Sequence, residues 1–378
     1  MRARRTGTGG MTDILIVGAG MAGASLAAEL APHAGVTVLE TEDVAGYHAT
    51  GRSAAFWSES YGGPGVQPLT AASGDYLRGH GFLAPLGSLH IGRAEDRAEA
   101  DRFLADFAGT SVTLTEVDPA AHLPGLRGDW TIGIFEDSCA YIDVAGLHQH
   151  YLAIARRAGA RIMLGAGLRV AHRAGGRWVV ETGAGTLSAD ILVNAAGAWA
   201  DPVAACVGVV PLGFSPYRRT MAQLRTDPAA PEGMPHIAHI GGSFYFKPES
   251  GGRLWLSPHD EIPSAPCDAA PEEIDIAIAI DRFEQVVDWR VAAVERRWAG
   301  LRTFAPDRLP VYGFDRHVPG FFWCAGQGGF GIQTAPAAAW LAAALVLGRA
   351  LPDAVAHVDA LRYGPSRLNG LAPLGITR

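Results

Sequence analysis

The 378-residue sequence predicts an α/β fold in which a doubly wound, parallel-sheet lobe is joined to a β-rich lobe with an antiparallel sheet. Three observations carry this prediction. Residues 13–40 contain a strand pattern, an alanine-rich helix pattern and a second strand pattern, which is the order of a βαβ unit. Residues 190–199 form another buried-strand pattern, which ends in small residues. Residues 243–247 and 253–257 alternate as antiparallel strands do.

Composition narrows the class of protein. The length allows two lobes, each with its own core. The net charge of −7 argues against a general affinity for nucleic acid. The four cysteines lack the spacing of a metal site, so we expect no metal and a reducing, cytoplasmic compartment. The apolar run at residues 335–347 contains Pro336 and is too short to be a transmembrane segment.

The glycines that follow the first strand pattern match a dinucleotide-binding fingerprint in its required context of strand, turn and helix. Gly18 permits the tight turn that joins the strand to the helix. Gly20 lets the backbone approach a diphosphate, and Gly23 lets the helix pack closely on the strand. Glu40 ends the second strand pattern, where a carboxylate accepts hydrogen bonds from ribose hydroxyls.

The helix that begins at Met21 and Ala22 would direct its free N–H groups and the positive end of its dipole at the diphosphate. A signal peptide is the alternative, because Arg2 and Arg4 precede the apolar run. A glycine turn would interrupt the apolar segment of such a peptide, and an acid-terminated strand follows, so the nucleotide site is favoured.

Further patterns extend the assignment along the chain. Residues 41–52 are predicted to form a loop that leads, from Ser53, into a second helix. Residues 61–65 form a glycine-rich loop that is able to close over a pocket. The other helix patterns cover residues 94–108, 143–159, 271–288 and 335–347. The other strand patterns cover residues 88–91, 112–117, 130–136, 161–164, 168–171, 178–181, 186–188, 209–224 and 321–326.

These patterns divide the chain into two discontinuous lobes and an arm. Residues 1–10 show no fold pattern, so we expect a disordered arm that comes from an upstream start or from cloning, with Met11 as the natural start. The antiparallel lobe is assigned to residues 87–141 and 211–300. The nucleotide-binding lobe is assigned to residues 11–86, 142–210 and 301–378.

Four glycine-containing segments resemble the D-amino acid oxidase superfamily of FAD enzymes. They are the fingerprint itself, GYHATGRSAAF at residues 46–56, the strand at residues 190–199 and the loop QGGFGIQT at residues 327–334. The sequence WAGLRTFAPD at residues 298–307 resembles the pattern that precedes the last strand of these enzymes. Within the superfamily, the chain is most similar to bacterial D-arginine dehydrogenases, and the resemblance implies FAD as the cofactor.

The resemblance also implies which residues hold the flavin, although Arg52 taken alone is equally well explained as a solvated loop arginine. Covalent members of the superfamily attach the flavin through a cysteine close to the position of Arg302, where this chain has none, so we expect non-covalent FAD. Beyond the fingerprint, the implied cofactor residues are Arg52, Ser53, Ala54, Val170, Gly197, Trp199, Gly328, Gly329, Gly331, Ile332, Gln333 and Thr334.

In these enzymes the flavin takes a hydride from the substrate Cα onto N5, and the resulting imino acid hydrolyses to a 2-oxo acid and ammonia. The substrate carboxylate needs a cationic group with two parallel N–H donors, which the guanidinium of arginine supplies. The resemblance gives this role to Arg219 and Arg302, adds the hydroxyl of Tyr245, and places Tyr61 on a lid. Alternatively, each arginine is a surface charge or part of a structural ion pair, or Arg218 takes the place of Arg219. The alternative for the two tyrosines is an ordinary packing role.

Two departures from the arginine dehydrogenases bear on the substrate. Phe56 and Ser88 stand where those enzymes carry His and Glu, so a guanidinium would lose its counter-charge. The pocket, which the resemblance completes with Gly329 and Gln333, therefore suits an apolar D-amino acid. The alternatives are an N-alkyl or cyclic amino acid oxidase, such as a sarcosine or glycine oxidase, a tailoring amine flavoenzyme, and a non-catalytic nucleotide-binding protein. The electron acceptor would be O₂ or a quinone-like molecule.

Overall fold

Two large β-sheets organise the chain, and a computed structural model describes it over residues 12–54 and 56–368. Its helices are α1 Met21–Leu30, α2 Gln67–Gly79, α3 Arg97–Phe107, α4 Val144–Arg157, α5 Ala200–Cys206, α6 Glu273–Glu284 and α7 Ala335–Leu347.

The strands belong to four sheets and are numbered in chain order. They are β1 Asp13–Val17, β2 Gly35–Leu39, β3 Phe56–Trp57, β4 Leu83–Pro85, β5 Ser88–Arg93, β6 Thr115–Glu116, β7 Trp130–Glu136, β8 Ala140–Ile142, β9 Arg161–Met163, β10 Leu168–Ala174, β11 Arg177–Thr182, β12 Gly185–Ala189, β13 Ile191–Asn194, β14 Ser215–Asp227, β15 His236–His239, β16 Tyr245–Glu249, β17 Arg253–Ser257, β18 Ile262–Pro263, β19 Arg290–Phe304, β20 Val311–Phe314, β21 Phe321–Ala325 and β22 Gln327–Gly328.

The six-stranded sheet has the order β20-β21-β13-β1-β2-β9, and its neighbours pair in parallel except for β20 at the edge. Helix α1 packs against α4 and α7, while the small sheet β10-β11-β12 lies near the other face through contacts with β1 and β13. Apolar residues are buried on both sides of the sheet, as parallel sheets require. This is the predicted doubly wound lobe, and the prediction is confirmed.

The ten-stranded sheet has the order β22-β19-β14-β17-β16-β15-β5-β7-β6, with β18 paired to β14. All of its pairs are antiparallel except β15 with β5. Helix α6 covers one face, where Leu224, Phe246 and Leu256 are buried against it. Because side chains alternate along a strand, Arg219, Tyr245 and their cross-strand neighbours lie on the opposite face. The predicted antiparallel sheet is therefore confirmed.

The structure corrects several predicted elements. No helix starts at Ser53; the chain turns, forms the two-residue strand β3, and enters α2 only at Gln67. The strand predicted at residues 112–117 is reduced to β6, and the one predicted at residues 209–224 begins at Ser215. The division into lobes stays a prediction, and its boundary at residue 301 falls inside the continuous strand β19.

The N-terminal arm and residues 369–378 lie outside the described residues. Across the part of the chain that the structure describes, no helix is long and apolar enough to cross a membrane. The same part contains no group of three or more His, Cys, Asp or Glu side chains arranged to hold a metal ion. All four cysteines are free thiols.

Candidate active site

The glycine loop between β1 and α1 is shaped by backbone contacts that leave no room for side chains. Gly18 has a φ of +104°, and a Cβ there would lie 2.5 Å from the carbonyl oxygen of Ala195. A Cβ on Gly23 would lie 1.9 Å from the carbonyl oxygen of Gly18. The predicted roles of Gly18 in the turn and of Gly23 in close packing therefore follow from this geometry.

Glu40 lies directly beside the glycine loop at the end of β2. One of its carboxylate oxygens accepts a hydrogen bond from the backbone N–H of Ala19 at 2.9 Å, and the other accepts from that of Glu42 at 3.1 Å. Each oxygen keeps a further lone pair, so the carboxylate is fixed in position and can still accept ribose hydroxyls.

The first turn of α1 contains no acidic residue, so no negative charge of the helix opposes an anion there, but the N–H of Met21, which was predicted to be free, is already bonded. The hydroxyl of Thr50 accepts from the N–H of Met21 at 2.9 Å, which ties the following loop to this helix end. His148 on α4 makes a hydrogen bond of 2.9 Å to the carbonyl oxygen of Ala19. Sequence reasoning missed Thr50 and His148, and no sequence signal pointed to His148. Together these groups fit the diphosphate and ribose of a dinucleotide cofactor.

Arg52 is placed differently from its expected role. Its guanidinium donates to the carbonyl oxygens of Ala269 at 2.7 Å and Ala299 at 3.3 Å, and forms an ion pair with Asp268. It also lies 5.1 Å from the ring centre of Tyr47. Protein acceptors thus bind the guanidinium, and the backbone carbonyl oxygen of Arg52 accepts from the indole of Trp298 at 2.9 Å, so the expected cofactor contact stays a prediction.

Other expected cofactor residues lie in two regions. Ser53 and Ala54 continue the turn that leads to β3. Gly197 has a φ of +55° and opens a single helical turn that ends at Trp199, directly after the strand β13. Val170 lies on β10 and is 40% exposed, so its side chain is open to a ligand. Their assignment to the cofactor stays a prediction.

The loop between β21 and α7 approaches both Tyr61 and Arg302. A Cβ on Gly329 would lie 2.4 Å from the hydroxyl of Tyr61 and 3.1 Å from Nη1 of Arg302. The amide nitrogen of Gln333 donates to the carbonyl oxygen of Tyr61 at 3.1 Å and to the hydroxyl of Thr70 at 2.9 Å. Gln333 therefore holds the backbone of Tyr61 in place, and Gly329 lies close to the hydroxyl of the same tyrosine. The remaining expected members of the loop are Gly328, Gly331, Ile332 and Thr334, of which the last two are buried.

Arg302 lies between two tyrosines on the face of the ten-stranded sheet that α6 leaves uncovered. Its Nη1 donates to the hydroxyl of Tyr61 at 2.7 Å, and its Nη2 lies 3.5 Å from the hydroxyl of Tyr245. The hydroxyl of Tyr245 in turn donates to the sulfur of Met221 at 3.1 Å. Three of the four predicted catalytic residues are thus brought together from segments that are far apart in the chain.

Arg219 is the fourth predicted catalytic residue and is only 4% exposed. Its Nε donates to the carbonyl oxygen of Asp260 at 2.7 Å, and its Nη2 lies 3.4 Å from the carboxylate of Glu261. Its Nη1 is buried and has no hydrogen-bond partner among the described residues. Arg218 points to the other face of the sheet, where it pairs with Asp275 at 2.8 Å, so it does not replace Arg219. Tyr61, Arg219, Tyr245 and Arg302 are called the arginine–tyrosine cluster below.

The electrostatics of the cluster are those of an anion site. Burial lowers the pKa of Arg219 to about 10, with the charge of Arg302 as a further cause, and the side chain remains cationic at pH 7. Burial also acts to lower the pKa of Arg302, but the interactions with Tyr61, Tyr245 and Glu261 act in the opposite direction, and the net pKa is raised. Burial, followed by the two arginines, lowers the pKa of His259 to about 3, so this nearby histidine is neutral. Sequence reasoning missed His259.

Phe56 begins an aromatic wall beside the cluster. Its ring centre lies 4.1 Å from that of His236 and 5.3 Å from that of Tyr61. Ser88 is only 1% exposed, and its hydroxyl lies 2.9 Å from Nδ1 of His236. Ser88 is thus bonded to His236, and its assignment to the substrate pocket stays a prediction. No sequence motif marked His236.

Glu136 is a fully buried carboxylate in this region and is the cross-strand neighbour of Ser88. It accepts hydrogen bonds from the hydroxyls of Ser58 and Ser60 and from the backbone N–H of Glu59 at 2.8 Å. The hydroxyl of Ser138 is a fourth donor at 3.2 Å, so this carboxylate is already satisfied by its own protein and does not offer a free negative charge to a ligand.

Known proteins share this architecture. A profile described as DAO, FAD dependent oxidoreductase, matches residues 13–345. Human mitochondrial dimethylglycine dehydrogenase is 25% identical over 404 residues, which cover 93% of this chain and 44% of that protein. The glycine oxidase of Geobacillus kaustophilus aligns with a TM-score of 0.78 at 22% identity over 89% of this chain and 95% of that chain. The L-proline dehydrogenase of P. horikoshii aligns with a TM-score of 0.82 at 20% identity over 95% of this chain and 98% of that chain.

These similarities differ in what they establish. The solved structures have the same fold, which confirms the predicted fold class. The chain spans about half the length of the curated relatives it matches. The relatives named here are a dimethylglycine dehydrogenase, a glycine oxidase and an L-proline dehydrogenase, so they do not support the finer resemblance to D-arginine dehydrogenases.

Proposed function

Because the chain belongs to the DAO family of FAD-dependent oxidoreductases, with FAD as its cofactor, we propose that it oxidises the CH–NH group of an amino acid to an imino acid. The observation that carries this proposal is the cationic Arg302 held between Tyr61 and Tyr245, beside the loop that contains Gly329. Such an arrangement binds a carboxylate with charge-assisted hydrogen bonds, and it fixes the neighbouring Cα in space.

The residues of the site supply binding and orientation, while FAD, when bound, supplies the hydride acceptor. The free Nη1 of Arg219 gives a second cationic donor for the same carboxylate. His259 is neutral, with its pKa lowered to about 3 by burial and then by the two arginines, so it does not accept a proton near pH 7. The substrate amine must therefore lose its proton to solvent, and kcat/KM rises with pH towards the pKa of that amine.

The flavin is held without a covalent bond in this proposal. Cys139 and Cys324 are buried, Cys206 and Cys267 are exposed, and position 302 is the arginine of the cluster. Acid precipitation of the purified protein is expected to release all of the FAD into the supernatant. Flavin that stays in the pellet would contradict this part of the proposal.

The side chain of the substrate is proposed to be uncharged, and its configuration D. Phe56 and the neutral His236 form the wall beside the cluster. The buried carboxylate of Glu136 is already satisfied, and the carboxylate of Glu261 is paired with Arg219 and Arg308. An aliphatic or aromatic side chain gains roughly 1.5–3 kcal/mol from burial in such a place. An unpaired guanidinium loses more than that gain. D-Leucine, D-methionine and D-phenylalanine should therefore be better substrates than D-arginine.

An N-alkyl or cyclic amino acid is the second candidate substrate, favoured by the names of the similar proteins, which include dimethylglycine and L-proline dehydrogenases. The test is anaerobic flavin reduction by D-, L- and N-methyl amino acids. Fast bleaching by the D-amino acids supports the proposal, and bleaching confined to N-methyl or cyclic substrates favours the alternative. A flavin that no amino acid bleaches would contradict both.

The identity of the electron acceptor, O₂ or a quinone-like molecule, and a cytoplasmic location remain part of the proposal. Reoxidation of the reduced protein by air, compared with reoxidation by a soluble quinone, separates the two acceptors. The four free thiols are compatible with a reducing compartment.

A further inference from the structure

His236 is a buried polar side chain that the carboxylate-binding arrangement does not use. It lies on β15, is 2% exposed, and has its Nδ1 2.9 Å from the hydroxyl of Ser88. Its Nε2 is buried and has no hydrogen-bond partner among the residues that the structure describes. Buried polar atoms are almost always paired, so an unpaired ring nitrogen beside a binding site indicates a partner that comes from outside the protein.

The position of His236 relates this nitrogen to the candidate substrate. Its ring centre lies 4.1 Å from that of Phe56 and 5.5 Å from that of Tyr245, and Tyr245 contacts Arg302. The ring of Tyr245 thus lies between His236 and Arg302. The side chain of a substrate whose carboxylate is held by Arg302 therefore has this wall beside it.

We propose that His236 determines substrate specificity by hydrogen-bonding, through Nε2, to an uncharged hydroxyl or carboxamide on the side chain of the substrate. This inference rests on the proposed function and narrows its uncharged side chain to a polar one.

The chemistry of the ring selects this class of side chain. Burial holds the pKa of His236 well below its ordinary value of 6.5, so the ring is neutral and has one donor and one acceptor nitrogen. The hydrogen bond between Nδ1 and Ser88 decides which role Nε2 takes. A hydroxyl or a carboxamide can donate or accept, so it pairs with Nε2 in either tautomer. An alkyl side chain leaves Nε2 unpaired, and a guanidinium leaves its charge without a counter-ion.

The experiment compares pairs of amino acids that have the same shape and differ only in hydrogen bonding. Threonine is paired with valine and asparagine with leucine, in the enantiomer that reduces the flavin. The rate constant of anaerobic flavin reduction divided by the apparent substrate dissociation constant is measured for each member. In the wild-type protein we expect the polar member to be favoured by about tenfold or more.

The variants separate the hydrogen bond from the shape of the wall. His236→Phe keeps a ring and removes both nitrogens, so the polar-to-apolar ratio is expected to fall to about one or below. His236→Gln keeps a hydrogen-bonding group and is expected to retain part of the preference, which covers the case in which the Phe variant does not fold. The matched control is His239→Phe on the same strand, whose ring already pairs with Ser243 and Asp96, and it is expected to leave the ratio unchanged.

The outcomes distinguish this inference from the function on which it rests. If no amino acid reduces the flavin, the proposed function and the inference both fail. If amino acids reduce the flavin but the wild-type protein does not favour the polar member, the inference alone fails. It also fails if His236→Phe keeps the wild-type ratio.

Discussion

The nucleotide end and the substrate end of the site are built in different ways. The nucleotide end comes mainly from one continuous stretch, residues 13–40, and its critical contacts are between backbone atoms. The substrate end is made of side chains that come from separate segments: β14, β16 and β19 on the sheet, together with the loops around Tyr61 and Gly329. The nucleotide end therefore tolerates almost no added volume, while the substrate end can change its ligand by exchanging single side chains.

The two ends also differ in how their charges are compensated. At the nucleotide end, Glu40 is satisfied by backbone N–H groups and the first turn of α1 contains no acid. At the substrate end, Arg219 keeps one unpaired N–H and Arg302 has only two phenolic partners. Asp260 and Glu261 compensate part of the charge of Arg219, whereas Arg302 has no carboxylate within ion-pair distance among the described residues and keeps its positive charge for a ligand carboxylate.

The largest effect is expected at the nucleotide end. Gly23→Ala places a Cβ 1.9 Å from a backbone oxygen, so the glycine turn must move. We expect FAD affinity to fall about 1,000-fold, equivalent to roughly 4 kcal/mol. The control is Gly79→Ala, because a Cβ on this helical glycine meets no atom within 4 Å. Flavin absorbance per protein after gel filtration is the measurement. Normal FAD content in the Gly23 variant would show that the turn is not the cofactor-binding element.

A smaller effect is expected at the substrate end. Arg302→Met should weaken the apparent substrate affinity by about 100-fold, equivalent to roughly 3 kcal/mol of lost charge-assisted bonding, while FAD content stays unchanged. Arg297→Met on the same strand is the control, since the side chain of Arg297 is 53% exposed and pairs with the exposed Glu273. Steady-state kinetics of both variants give the comparison. An Arg302 variant with unchanged affinity would assign this arginine a structural role.

The smallest effect concerns stability in acid. Burial lowers the pKa values of His90 to about 4 and of His259 to about 3, and holds that of His236 well below 6.5. As the pH falls below about 6.5, these histidines are therefore protonated in the unfolded chain before they are protonated in the folded chain. The free energy of unfolding decreases as a result. We expect a loss of about 2–3 kcal/mol between pH 6.5 and 5.5.

Urea unfolding of the FAD-bound protein at several pH values measures this loss. His90→Gln lies outside the arginine–tyrosine cluster and is expected to remove about a third of the pH dependence that these three histidines contribute. A stability that stays constant or rises over the same interval would mean that these histidines are protonated in the folded protein.

The nucleotide end could be predicted from the sequence because its signals are local. The predicted start of α1 and the predicted bounds of α7 agree with the structure, since the apolar periodicity and the neighbouring glycines that mark these helices are local features of the sequence. The prediction of a helix after Ser53 was wrong because the alanines there favour a helix only in isolation. In the folded chain this segment pairs β3 with β8 across the sequence, and tertiary pairing overrides local propensity.

The substrate end was only partly predictable. Arg302, Arg219, Tyr245 and Tyr61 were found because a family resemblance points to them, and their mutual contacts could not be read from spacing. His236 was missed because its role depends on the register between β15 and β5, which puts it opposite Ser88. Such non-local pairing leaves no signal in the residues that surround His236.

The carboxylate-binding role of Arg302 is the central claim, and a double-mutant cycle tests it most directly. D-Leucine and D-leucinamide, which lacks the carboxylate, are compared as anaerobic reductants of the wild-type flavin and of the Arg302→Met flavin. We expect the wild-type protein to favour the acid by about 100-fold and the variant to have almost no preference. An equal preference in both proteins, or a wild-type protein that reacts as well with the amide, would contradict it.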